Sequence, residues 1–235
     1  MATIYLIRHG QASFGAENYD QLSPLGQLQA QRTGQYLARA GITLDAAYSG
    51  DLSRQRETCE RVCAELGGGI AHTVDARFNE INNDEQVKNL APLVASTNPA
   101  IDALLQRGLS SSKDYQKVIE AVFNHWVSHD CSDHGIQSWQ EYSRLARDAL
   151  HEVMRNEGSG KTVGIFTSGG TIATLVAQAL GLDGEHTYRF YEPIFNCSVS
   201  QLFYSGTRVS VSYFNDCSFL RMLGHEHGEE LVSYR

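Results

Sequence analysis

Three short runs rich in β-branched and apolar residues, 3–7 (TIYLI), 45–49 (DAAYS) and 161–167 (KTVGIFT), are each followed by a stretch punctuated like a helix. This alternation is the strongest constraint on the fold. Parallel strands cannot be joined by a tight turn, so each intervening helix serves as a crossover and the strands line up in a mostly parallel sheet. The first crossover, 22–41 (LSPLGQLQAQRTGQYLARAG), places Ser23 as N-cap, Pro24 at the first helical position and Gly41 at the stop. A second helix is predicted over about 51–66, ended by Gly67-Gly68-Gly69, and a third strand over 70–74 (IAHTV). Residues 81–160 read as mostly helical, with loops at 107–113 and 130–135 and a long closing helix at 138–156. After 161–167, "SGG" (168–170) is expected to be a turn and 171–181 a helix. Segments 198–204 and 206–214 are expected to form a hairpin across Ser205-Gly206. The expected fold is α/β: a single domain over 1–235 whose mixed, mostly parallel central sheet is flanked by helices on both faces. A helical insert at about 84–135 is expected to act as a substrate lid.

Composition narrows the partners. With 42% hydrophobic residues the chain can bury a sizeable core. The net charge of −8 argues against nucleic acid or an anionic membrane as a partner, so an anionic substrate needs a local cluster of positive groups. The five cysteines include no CxxC, and Cys59 and Cys63, four apart on a helix, read as a buried face rather than a bridge. No signal peptide and no stretch of membrane-spanning length is apparent in the sequence, so a cytoplasmic location is expected.

In open α/β sheets ligands bind at the carboxyl ends of the strands, beside helix N-termini. Three segments deliver polar groups there: Arg8 and His9 after the first strand, "SGDLSRQRET" (49–58) after the second, and "TSGGT" (167–171) after the strand at 161–167. Taken singly these are ordinary features. An Arg-His pair at a strand end is usually surface, arginines on a helix usually face solvent, and a serine before a helix is usually a cap. Their convergence on one sheet edge is the signal.

The motifs "IYLIRHGQ" (4–11), "LSPLGQLQA" (22–30), "YSGDLSRQRET" (48–58), "FNEIN" (78–82), "NCSVSQL" (196–202) and "FNDCSFL" (214–220) resemble the histidine phosphatase superfamily, the phosphoglycerate-mutase-like fold, in that family's order. The resemblance implies that His9 is a nucleophile forming a phosphohistidine, that Arg8 and Arg54 hold the phosphoryl oxygens, and that Glu80 is the general acid. Arg56 is then a structural neighbour. The chemistry suits these types: guanidinium forks match phosphoryl oxygens, a neutral imidazole can attack phosphorus, and a carboxyl whose pKa is raised can protonate the leaving oxygen.

Three positions depart from the family pattern. Ser168 stands where a second catalytic histidine belongs, Gly15 where relatives carry an asparagine near the phosphate, and Gln11 where mutases carry a glutamate. Ser13, Ser168 and Gly169 are therefore expected to complete the phosphate site, with the start of the helix after Ser168 supplying backbone N–H groups. Replacing Ser168 by histidine is expected to raise activity, because Gly169 and Gly170 leave room. No long basic segment for a second anionic group is present, which favours hydrolysis of a small phosphomonoester over a mutase-type isomerisation. A weakly active member that binds a phosphorylated ligand or partner is the rival reading. No metal or other cofactor is expected; a homodimer is admitted, since the sequence leaves the oligomeric state open. "GSGKT" (158–162) lacks the first glycine of a phosphate-binding loop, because position 155 is Arg155. His125, His129 and His134, like "HEH" at 225–227, lack metal-ligand spacing.

Overall fold

A computed structural model describes residues 1–13 and 19–234. Strands β1 (Ala2–Arg8), β2 (Ala46–Ser49), β3 (Ala71–Val74), β4 (Thr162–Thr167), β5 (Val199–Ser205) and β6 (Arg208–Asp216) form one sheet in the order β3-β2-β4-β1-β5-β6. The pairs β3–β2, β2–β4 and β4–β1 are parallel, whereas β1–β5 and β5–β6 are antiparallel. The sheet is therefore the mixed, mostly parallel one that the strand–helix alternation predicts.

Alternation along the strands divides the core in two. On one face Ile4, Leu6, Tyr48, Val163 and Ile165 pack under α6 (Trp139–Glu157) and α7 (Gly169–Ala179). On the other, Tyr5, Ile7, Ala47 and Phe166 pack under α1 (Pro24–Arg39), α2 (Ser53–Glu65) and α9 (Ser218–His227). Cys59 and Cys63 belong to this second core as buried thiols 3.9 Å apart. A third apolar cluster joins α3 (Asn83–Thr97), α4 (Pro99–Arg107) and α5 (Ser112–Ser128) to Trp139 and Tyr142 of α6 and to Tyr188 of α8 (Thr187–Tyr191).

Local chemistry explains the start of α1. Ser23 accepts the Gly26 N–H and Pro24 occupies the first turn. Two glycines then let the loop after β1 approach this helix. A Cβ on Gly10 would stand 2.4 Å from the Gly26 carbonyl oxygen, and one on Gly26 would stand 2.1 Å from the Gln11 carbonyl oxygen.

Two expectations need correction. "SGG" is no free turn, because α7 begins at Gly169; Ser168 is the N-cap residue by backbone, yet its side chain makes no capping hydrogen bond. The hairpin closes one residue later than expected, with Ser205 opposite Arg208 and the bend at Gly206 and Thr207. Among the described residues no helix is long and apolar enough to cross a membrane.

Candidate active site

Parallel register brings the strand ends together. Arg8 pairs with Thr167 and Ser49 with Phe166, so His9, Ser168 and Gly50 leave the sheet side by side. His9 is buried, and its N–H donates to the Thr167 carbonyl at 2.8 Å. Its ring Nδ1 lies 2.7 Å from the Gly10 carbonyl oxygen. A carbonyl only accepts, so Nδ1 carries the proton and Nε2 presents a lone pair, which faces the Arg54 Nε–H at 3.2 Å. Burial first, then Arg54 and Arg8, hold this imidazole well below its ordinary value, so the ring is neutral at neutral pH.

Arg54 lies in the first turn of α2 and is itself buried. Its Nη1 meets Asp20 at 2.5 Å, and Asp20 also accepts the Ser53 N–H at 2.7 Å. Thr58 stitches the two motifs: its hydroxyl accepts from Gly10 N–H and donates to the Arg54 carbonyl. Arg56, two residues on, is exposed and 3.9 Å from Asp51. The helix period thus separates the inward arginine from the outward one. Arg8 donates from Nη1 to the carbonyls of Ile194 and Tyr234, while its Nε is buried without a partner. An orphaned buried N–H of a cation is a donor waiting for an acceptor.

Glu80 keeps a partly exposed edge. Its Oε1 accepts the N–H groups of Ile81 and Gly170, each at 3.0 Å. Burial raises its pKa above the ordinary carboxyl value, outweighing the opposing pull of Arg54, Arg8 and the two N–H groups. One backbone donor at the start of α7, the Gly170 N–H, is therefore engaged by Glu80, where the sequence suggested donors free for phosphate. A Cβ on Gly170 would lie 2.5 Å from Glu80 Oε1, and one on Gly169 would lie 3.1 Å from the Tyr191 ring and 3.7 Å from Arg8 Nε. The room expected beside these glycines is filled.

Ser168 is fully buried, and its hydroxyl accepts from the Gln55 amide at 2.8 Å. Gln55 donates also to the Phe78 carbonyl, at 3.1 Å, and is equally buried. The N–H of Ser13 donates to the Gln21 carbonyl beside a short bridge between Ala12 and Leu22. Gly15 lies outside the described residues. Sequence reasoning missed Tyr191, whose hydroxyl accepts from Asn83 at 2.6 Å and whose ring packs at Gly169. It also missed Tyr142, hydrogen-bonded to Thr171 at 2.9 Å. Both come from distant helices whose sequences carry no motif.

Residues 4–98 and 101–217 match the sequence profile of the histidine phosphatase superfamily (branch 1). The chain belongs to that superfamily. A 2,3-bisphosphoglycerate-dependent phosphoglycerate mutase of Brucella ovis is 35% identical over 85 residues, which is 33% of this chain. The match spans only 41% of that curated relative's length. Among solved structures, a phosphoserine phosphatase of Entamoeba histolytica superposes with TM-score 0.63 at 18% identity, covering 94% of this chain and all of the other. A phosphoglycerate mutase of Bacillus anthracis superposes with TM-score 0.68 at 18% identity, over 94% of this chain and 95% of its own. These likenesses establish the fold. In this superfamily member the charges acting on His9 include those of Arg54 and Arg8.

Proposed function

We propose that this superfamily member hydrolyses a small phosphomonoester through a phosphohistidine on His9. The observation that carries the reading is the neutral ring of His9, whose Nε2 lone pair faces the Arg54 Nε–H, with Glu80 in the field of the same two arginines. Nε2 attacks phosphorus as the ester P–O bond breaks, and Glu80, whose protonated form burial favours, gives its proton to the leaving oxygen. Water then attacks the phosphohistidine, Glu80 takes the proton, and the P–N bond breaks to return the imidazole and release phosphate. Arg54 and the orphaned Nε of Arg8 stabilise charge on the phosphoryl oxygens. Ser13, Ser168 and Gly169 complete the phosphate site in this reading, and Ser168 takes the place of the family's second catalytic histidine. The α3–α5 unit, 83–128, makes up most of the expected 84–135 insert and in this reading is the lid over a single domain.

The test is turnover of an aryl phosphate together with trapping of an acid-labile phosphoenzyme from a radiolabelled ester. His9→Ala is expected to abolish both while the protein stays folded. Arg54→Ala should cut the rate at least a hundredfold, the loss typical for one transition-state donor, while Arg56→Ala changes it little. Undiminished turnover in His9→Ala would place the chemistry elsewhere. The binding reading, in which the protein only holds a phosphorylated ligand, rests on the Ser168 hydroxyl being engaged by Gln55. Absence of phosphoenzyme in the wild type would favour it.

A further inference from the structure

Beside Glu80 lies a cavity of about 370 Å³, within the range of small-molecule sites. Arg77, Glu80, Gln86, Trp126, Ile136 and Leu145 line it. Its walls come from residues 76–86, from α5 and the loop after it, and from the first half of α6. His9, Arg8 and Arg54 are not among the described residues that line it, so this space is distinct from the phosphoryl end.

Gln86 sets the chemistry of the cavity. It stands in the first turn of α3, only 5% exposed, with its backbone N–H donated to the Asn82 carbonyl. Its side-chain amide has no hydrogen-bond partner among the described residues. Buried amides are ordinarily paired, so an unpaired one on a cavity wall is open to a partner from outside the chain. That partner must donate to the amide oxygen and accept from the amide nitrogen. A carboxylate only accepts and an ammonium only donates, whereas a carboxamide does both. Neighbouring polar groups are already engaged. Arg77 is held by Asp75 at 2.6 Å and by Glu152 at 2.8 Å, which leaves its charge matched. The Trp126 indole N–H donates to the Gln137 carbonyl at 2.7 Å. Ile81, Ile136 and Leu145 supply apolar wall.

We propose that this cavity is a second ligand site, which takes an uncharged small molecule bearing a carboxamide on an apolar frame, its amide paired with Gln86. Glu80 lines the same space and keeps a partly exposed edge. Occupancy therefore removes water from the carboxyl assigned above as the acid, which makes the ligand an effector of that reaction.

Benzamide is the probe, titrated into the protein while the indole N–H resonance of Trp126 is followed. Saturable binding is expected, unaffected by saturating inorganic phosphate. Benzoate and benzylamine should each bind about tenfold more weakly or worse, since each leaves half of the Gln86 amide unpaired and brings a charge. Gln86→Leu should weaken benzamide by about fivefold or more while melting no lower than the wild type. Ala76→Trp, which adds bulk on the exposed rim, should weaken it too. Displacement by phosphate, equal binding of either charged analogue, or affinity unmoved by Gln86→Leu would overturn the site. In the active enzyme, bound benzamide should move the alkaline limb of the pH–rate profile to higher pH. This last arm rests on the hydrolase reading, and the binding arms do not. Benzamide bound with the limb unmoved would overturn the effector role alone.

Discussion

At the scale of single residues, His9 and Glu80 are pushed in opposite directions by the same burial. His9 is held below its ordinary value, and Glu80 above its own. A neutral base and a neutral acid can then coexist on the acid side of neutrality, where kcat/KM should be highest. The alkaline limb should follow Glu80 losing its proton. Stability is linked to the same proton. The folded chain keeps it at pH values where the unfolded chain has released it, so ionising Glu80 costs stability as pH rises from the ordinary carboxyl range through the folded value. Glu80→Gln retains an oxygen for the Ile81 and Gly170 N–H groups. It is expected to raise the melting temperature at neutral pH while abolishing most activity, and the gain should shrink below about pH 4.5, where both states hold the proton. Melting curves across pH, with pH–rate profiles, would check this; a variant less stable at neutral pH would show that the ionised carboxylate stabilises the fold.

Between elements, the contact that sets the site is the meeting of β4, α2 and α7 at Ser168. Gln55 from α2 spans to Ser168 and to the Phe78 carbonyl, and its own amide oxygen is buried without a partner. An imidazole at the fully buried position 168 would meet Gln55, while Tyr191 and Glu80 close the space beside Gly169 and Gly170. Ser168→His alone is therefore expected to cost about 1–3 kcal/mol by overpacking. Paired with Gln55→Ala, which frees side-chain volume beside it, the histidine should fold with less strain and raise the phosphoryl-transfer rate. A double-mutant cycle in stability and single-turnover rate measures this coupling. Simple additivity would mean that Gln55 is not what excludes the larger side chain.

Across the whole molecule, segments far apart in sequence fasten the loop after β1, residues 9–11. Asn196 donates to the His9 carbonyl at 3.2 Å, and Ser233 donates to Asn196 at 3.0 Å while accepting from Gln29 at 2.9 Å. Gln29 in turn accepts the Gln11 N–H at 2.9 Å. Ser233→Ala would leave Asn196 and Gln29 with unpaired buried groups and is expected to cost about 1–3 kcal/mol. In a chain of this size that amounts to a melting point lower by roughly 2–4 °C per kcal/mol. A melting temperature unchanged within a degree would show that water replaces the hydroxyl. Much of the fold follows from the chain alone. The alternation of buried strands with capped helices fixes a parallel sheet, and the strand ends fix where Arg8, His9, Arg54 and Ser168 emerge, since both depend on local periodicity and on chain connectivity. The motif register of the resemblance also picks Arg54 over Arg56, and two residues, about half a helix turn, put the first inward and the second outward. Tertiary structure alone decides the rest. The Arg54 N–H on His9 Nε2, the carboxyl of Glu80 seated on Gly170, the Gln55 amide at Ser168 and the Asn83 amide on Tyr191 join residues 45, 90, 113 and 108 positions apart. Such contacts depend on packed volume and desolvation, and these quantities exist only once distant segments have met.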